Sequence, residues 1–508
     1  MLTRAAARAI RYVLLSSVCA TETLSSCDIR ETIDKLPDDV LLEVFDAYRL
    51  DLQLQPRYEY VWNSRDGWFK LAHVCLRWRL VVFSSSSRLH LHLLFTPWRS
   101  PKAHMLRRLP QFPVIIDYTT SSWTEKEENL LIAAIGNGSR VHRLALRRSY
   151  ASMAKLLRAL DRPFLELESL EIYTIYDDSL DNRYYNRLAL PSKIISTSAS
   201  RLRRLALWDV VPECLTLPLS RATGLVDLSL ILKIPPYYSG LPEASFLTNL
   251  KRMSCLRRLE LKLAYSGYLR QEPGCPYPPV GGGDAFSLSK LTHLIFNGHG
   301  PYLEAILVGL AAPSLQRLEV DLIAARFSDS EPVPHLCRFI SDAQCRFITV
   351  RLDFPGNYYR PRFKLYAETC LNQPFSLTIP GPISLEEMGN RLSGPLSTVE
   401  ELVVGWDNLP WATPSFSHWH TFFNHIHQVK TVRVPSFVAR DVADSFLQDG
   451  QVPSVGLLPA LEQVEVHMMM APSMLPNAND DLATIRDAFK PLITARRRVG
   501  QPITLLWT

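Results

Sequence analysis

The chain has 508 residues, 47% of them hydrophobic and 21% charged, a globular balance that excludes wholesale disorder. Its formal net charge of +6 is mild for this length and excludes a dedicated nucleic-acid binder, in which a concentrated basic stripe is expected. The Cys count of 9 is odd, the residues are scattered, and none forms a Cys-x-x-Cys pair. That argues against a disulfide scaffold or zinc knuckle and for reduced thiols in a cytoplasmic or nuclear protein.

Taken in chain order, Arg4, Arg8 and Arg11 precede Tyr12-Val13-Leu14-Leu15, and no acid occurs before Glu22. This weakly resembles a targeting peptide, but Ser16-Ser17 cuts the apolar run short. Residues 1–30 are therefore read as an extension, with a targeting segment as the alternative. No window approaches the roughly eighteen apolar residues that a membrane span needs.

Leu36-Pro37-Asp38-Asp39 has the features of a helix start: Pro in the first turn, then acids at the positive end of the helix dipole. Val40, Leu41, Val44, Phe45 and Tyr48 follow at helical spacing and make an apolar face. Pro56 and its polar neighbours predict a loop over 51–65. A second helix is predicted over 66–82, with Trp68, Leu71, Cys75, Trp78 and Val82 on its apolar side. Cys75 and His73 are two residues apart and diverge on a helix, so Cys75 is read as a core residue, not a nucleophile. Leu36 and Pro37, at the helix start, stay within a partner's reach. The alternation from Arg88 to Leu93 predicts a first strand.

These residues resemble an F-box of the type expanded in mushroom-forming fungi. The likeness rests on Ile33, Leu36-Pro37, Val40 to Phe45, Leu71 to Arg79 with its Cys-x-x-Trp-Arg, and Val82 to Ser85, and it covers residues 31–95. It implies docking onto the Skp-type linker subunit of a cullin-based ubiquitin ligase. Leu36, Pro37, Val40, Leu41, Val44 and Phe45 would then supply much of the linker-facing surface, and Trp68, Leu71, Cys75 and Trp78 would support the module from within.

The remainder carries a loose Leu-x-x-Leu-x-Leu unit. Its clearest copies are Leu202 to Leu207, Leu225 to Leu230, Leu256 to Leu261, Leu291 to Phe296 and Leu315 to Val320, unevenly spaced. The Leu-x-Leu part predicts a short strand, and the segments between predict helices, clearest over 151–160 and 302–310. Units that cannot bury their faces alone must stack. The pattern resembles the leucine-rich repeat family, although the Asn expected after the strand is mostly missing; an irregular α/β domain is the alternative. The expected fold class is thus α+β, a small all-helical module over 31–87 followed by an irregular α/β leucine-rich-repeat-like solenoid over 88–508.

The intervening loops include Ile234 to Gly240, Glu272 to Gly283 and Trp406 to His420. Exposed aromatics make binding hot spots, so Trp406, Trp411 and Trp419 are candidate target contacts, with burial against the strands as the equal alternative. His418, His420, His425 and His427 lack a nearby cysteine and are read as ordinary histidines, with no metal. No phosphate loop, dinucleotide fingerprint, His-Glu-x-x-His or Gly-x-Ser-x-Gly occurs. The expected protein is a substrate-recruiting adaptor without cofactor or catalytic residue, binding the linker at one end and an unidentified protein at the other. A scaffold with a non-docking module is the alternative.

Overall fold

The computed structural model describes residues 36–54, 71–85, 89, 92–96, 112–119, 124–175, 188–212, 219–234, 243–265, 285–298, 300–322, 334–342, 347–353, 362–369, 374–380, 385–405, 416–448, 452–453, 456–467 and 478–507. The chain divides into two compact units, Met1–Asp177 and Asp178–Thr508.

In the first unit, a helix spans Asp38–Leu54 with Asp38 and Asp39 in its first turn. It buries Leu41, Leu42, Val44, Phe45 and Tyr48. Its last residues, 51–54, are helical where a loop was predicted. The second predicted helix is corrected as well. Leu71 and Ala72 are helical, residues 66–70 of the predicted helix lie outside the described residues, the chain breaks at His73 to Cys75, and a new helix runs from Leu76 to Ser84. Cys75 is extended and caps that helix, its Sγ accepting from the Trp78 N–H at 3.4 Å. A short side chain with an acceptor atom starts a helix by satisfying a first-turn donor that has no intrahelical partner. Cys75 is therefore a half-buried cap, not the core residue expected.

Strands then alternate with helices. β1 is Leu93–Phe95, later than the strand predicted from Arg88, and β2 is Val114–Tyr118. A helix over Glu125–Ile135 opens with a reciprocal cap between Thr124 and Glu127. β3 is Val141–Ser149. The helix Tyr150–Ala159 buries Met153, Leu156 and Leu157, as its spacing predicted, and β4 is Ser169–Ile175. These strands pair in parallel in the order β1-β2-β3-β4.

In the second unit the main strands are β5 (Arg204–Trp208), β6 (Asp227–Ile234), β7 (Arg258–Tyr265), β8 (His293–Gly298) and β9 (Arg317–Leu322). They continue as β10 (Phe347–Asp353), β11 (Arg362–Thr369), β12 (Pro374–Pro380), β13 (Glu401–Gly405), β14 (Thr431–Pro435), β15 (Gln463–His467) and β16 (Thr504–Trp507). Their spatial order is β5-β6-β7-β8-β9-β12-β11-β10-β13-β14-β15-β16. All neighbours are parallel except at β11, which runs antiparallel to both β10 and β12.

The leucines of the clear copies align across the strands. Leu205, Leu228, Leu259, Leu294 and Leu318 are in register and buried, as are Leu207, Leu230, Leu261, Phe296 and Val320 one alternation on. Each such side chain contributes about 1.5–3 kcal/mol of hydrophobic stabilisation. The other side of the pleat carries Asp227, Arg258, Glu260 and Lys262, as period-two alternation requires.

The fold expectation is nonetheless corrected. Helices are dispersed between strands along the described chain, and the strands join in continuous, largely parallel sheets. That is not a small all-helical module followed by a repeat solenoid. The reason is physical: Leu-x-Leu alternation records which face of a strand is buried and carries nothing about how successive strands stack. A parallel sheet with one helix-covered face reads the same way.

Candidate functional site

The two halves of the N-terminal motif meet through an aromatic contact. The rings of Phe45 and Trp78 lie edge to face, 4.8 Å between centroids and 61° apart, a favoured arrangement. Both are buried, with Leu71, Val81 and Val82 beside them in the core. Leu71 and Trp78 thus lie inside, where they were expected; Trp68 lies outside the described residues.

The residues expected to face a partner divide. Leu41, Val44 and Phe45 are buried, because they form the stripe that closes on the second helix; they are core side chains and not a free surface. Pro37 is exposed, and Leu36 and Val40 are half-buried. Sequence reasoning missed another set. Val74 is 47% exposed, Leu76 66% and Leu80 61%. Leu76 and Leu80 are four apart and share one face of their helix, opposite the face that buries Trp78, Val81 and Val82. The signal was present: the Leu76–Ser84 helix has more apolar residues than one buried face can take.

Arg77 stands between these groups. Its Nη2 donates to the Leu36 carbonyl and, at 2.7 Å, to Asp38 Oδ1, and its Nε donates to the same Oδ1 at 3.2 Å. Arg79 holds the inner turn through a 2.9 Å bond from Nε to the Ala72 carbonyl. The module therefore presents Leu36, Pro37, Val40, Val74, Leu76 and Leu80 as apolar groups around an ion-paired arginine. Uncovered aliphatic groups of this kind are suited to burial against another protein.

In the second unit the polar side of the sheet is laced by alternating charges. Arg204 lies 3.6 Å from Asp227, Arg258 lies 3.0 Å and Lys262 2.7 Å from Glu260, and Arg433 lies 2.8 Å from both Glu401 and Glu465. Burial pushes the Glu260 carboxyl upward, but hydrogen bonds from Lys262 and Arg258 outweigh it and leave the pKa below the usual value. Opposite signs meet both along β7 and between neighbouring strands, so the described part of this face carries no single-sign field to attract a polyanion. The cationic side chain of each pair is 39–47% exposed, so solvent screening limits what these pairs add to stability.

The candidate target contacts fare differently. Trp419 is 0% exposed and packs on Phe422 and Phe423, with centroids 6.5 and 5.7 Å away. It lies on a helix over Phe416–Phe423 where a loop was predicted, and it is core. Trp406 and Trp411 lie outside the described residues. His420 pairs its Nδ1 with the Ser445 carbonyl at 2.8 Å, and His425 stands next to Gly389, where any added Cβ would meet its ring. Among the described residues no group of His, Cys, Asp and Glu is placed to hold a metal ion. No helix among them is long and apolar enough to cross a membrane.

No protein-family model matches the chain. No curated protein matches it either. Among solved structures, a crystal structure of the leucine-rich repeat-containing protein LegL7 from Legionella pneumophila aligns at 11% identity with a TM-score of 0.25. The alignment covers 68% of this chain and 97% of that one. A superposition this loose carries no argument about fold or function.

Proposed function

We propose that this chain is a non-catalytic adaptor. Its two N-terminal helices, Asp38–Leu54 and Leu76–Ser84, dock onto the Skp-type linker subunit of a cullin ubiquitin ligase, and the strand-rich remainder presents a surface to a protein target. The observation that carries the reading is the surface of the module. Phe45 and Trp78 close the interior, while Pro37, Val74, Leu76 and Leu80 are exposed and Leu36 is half-buried. A module whose core is already filled and which still displays aliphatic side chains gains by covering them with a partner. The resemblance of residues 31–95 to an F-box supplies the partner's identity.

The test is co-purification of the full chain with a Skp-type linker, followed by titration of the purified pair. The intact chain should bind, and Leu76→Asp with Leu80→Asp should abolish binding while leaving the far-ultraviolet spectrum and thermal midpoint close to the parent's. A folded chain that leaves the linker free sinks the proposal. It favours instead a scaffold whose module does not dock, a reading helped by the burial of Leu41, Val44 and Phe45.

A further inference from the structure

We propose, on the strength of the docking reading above, that Arg77 is the positioning residue of the docking edge. It fixes Leu36 and Pro37 beside the exposed face of the second helix so that the two form one surface. Leu36 lies before the first helical turn, and the first ladder bond of the helix runs from the Leu41 N–H to the Pro37 carbonyl at 3.1 Å. Pro37 has no N–H to contribute. Arg77 supplies a donor from the neighbouring helix: its guanidinium spans Pro37, holding the Leu36 carbonyl on one side and the Asp38 carboxylate on the other.

Two features point to orientation as the purpose of this clasp. The ion pair is open to solvent on the Asp38 side, with Arg77 37% and Asp38 63% exposed, so screening limits what it adds to global stability. Its place on the helix is specific. At 3.6 residues per turn, Arg77 sits about 100° from Leu76 with Leu80 between them. The apolar arc of the second helix therefore runs directly into the residue that grips Leu36. A planar fork is needed to hold a carbonyl and a carboxylate together; a lysine ammonium is a point donor without that geometry.

The test uses the full chain with Arg77→Ala, Arg77→Lys and, as a control on a neighbouring arginine outside the clasp, Arg79→Ala. Arg77→Ala should speed hydrogen exchange at the Leu41 amide and weaken linker binding, each roughly tenfold, with little change in thermal midpoint. Arg77→Lys should recover part of both effects, and Arg79→Ala should leave the Leu41 exchange unchanged. Equal linker affinity of Arg77→Ala and the intact chain overturns the positioning role and leaves the docking reading standing. So does an affinity loss matched by a proportionate loss of thermal stability, since that marks a merely structural arginine. Failure of the intact chain to bind overturns the docking reading, and this role falls with it.

Discussion

The C-terminal helix Ala478–Arg498 places Arg496 wholly inside the protein, at 0% exposure. No described carboxylate pairs with it. Its Nη2 donates to the carbonyls of Leu457 and Leu458 at 2.7 and 2.6 Å, and its Nη1 donates to the Pro459 carbonyl at 3.1 Å and Gln501 Oε1 at 2.9 Å. Burial holds its pKa below the usual arginine value. The gripped loop is itself strained, since Leu458 has a φ of 51°, a left-handed conformation that costs a non-glycine residue about 1–2 kcal/mol. Arg496→Met keeps much of the volume and removes every donor. The Leu458 carbonyl keeps the Leu461 N–H at 3.0 Å; the carbonyls of Leu457 and Pro459 left dry would cost about 1–3 kcal/mol each, offset by several kcal/mol regained from no longer burying a cation. Removing one side of a buried polar set costs about 3–5 kcal/mol in comparable cases, and we expect about 3 kcal/mol here. The assay is native-state hydrogen exchange at Thr504, whose N–H bonds the Glu462 carbonyl at 2.9 Å as β16 joins the sheet. Protection should fall about a hundredfold, at 1.4 kcal/mol per tenfold. A loss under about 0.5 kcal/mol, within the range of ordinary surface substitutions, would refute the claim that Arg496 fastens the final helix and strand.

Three further outcomes follow from the same physics. Cys75→Ser replaces a weak sulfur acceptor by a preferred N-cap oxygen and should stabilise the module by up to about 1 kcal/mol, while Cys75→Ala should cost about 0.5–1 kcal/mol, both read by urea denaturation of the full chain. Glu304 is buried and accepts from the His335 and Leu336 N–H groups at 3.0–3.2 Å, at the start of the Pro334–Asp342 helix. Glu304→Gln removes the charge that complements that helix end and should cost about 1–2 kcal/mol, seen as faster amide exchange across residues 334–342. Burial, helped by His427, lowers the pKa of His425. The unfolded chain therefore takes up this proton at a higher pH than the folded one, so stability is fully present above the unfolded-state value and is lost as pH falls through it. His425→Gln should flatten the acid side of the denaturation profile between pH 7 and 5, which an unchanged slope would contradict.

The module shows which signals were legible in the sequence. The interior placement of Leu71 and Trp78, and the shared face of Leu41, Val44 and Phe45, followed from helical spacing; that this shared face is buried did not, because periodicity reports which residues share a face and not what covers it. The break at His73 to Cys75 was not legible, since Trp68, Leu71, Cys75, Trp78 and Val82 fit one uninterrupted helix as well as two. Only the conformation of Cys75 decides between them. The exposed Leu76 and Leu80 were legible but overlooked: four residues apart, they share one face opposite Trp78 and Val82 whether the helix is continuous or restarted at Leu76. Trp419 failed in the opposite direction. A cluster of tryptophans among Pro, Thr and Ser looked like a loop, whereas Trp419, Phe422 and Phe423 form the buried side of a helix.

The strand order exposes a deeper limit. The Leu-x-Leu segments of β5 to β9 were visible, yet between β9 and β10 in space stand two strands that follow both in sequence and that no copy of the pattern announced. β10 forms beside the place of β13, and the chain then turns back through β11 and β12 to fill the gap, with β12 joining β9 in parallel. The pairing of Val320 with Leu377, both buried, keeps the buried row continuous across this reversal, so the hydrophobic pattern is satisfied whichever strand occupies the position. Alternation constrains the face and the register modulo two residues. It leaves neighbour identity to the connections, and here the connections 323–333, 354–361 and 370–373 carry no apolar pattern that ranks one order above another. The departure from a simple repeat therefore arises where local sequence carries least information, at β11, which runs antiparallel to both its neighbours.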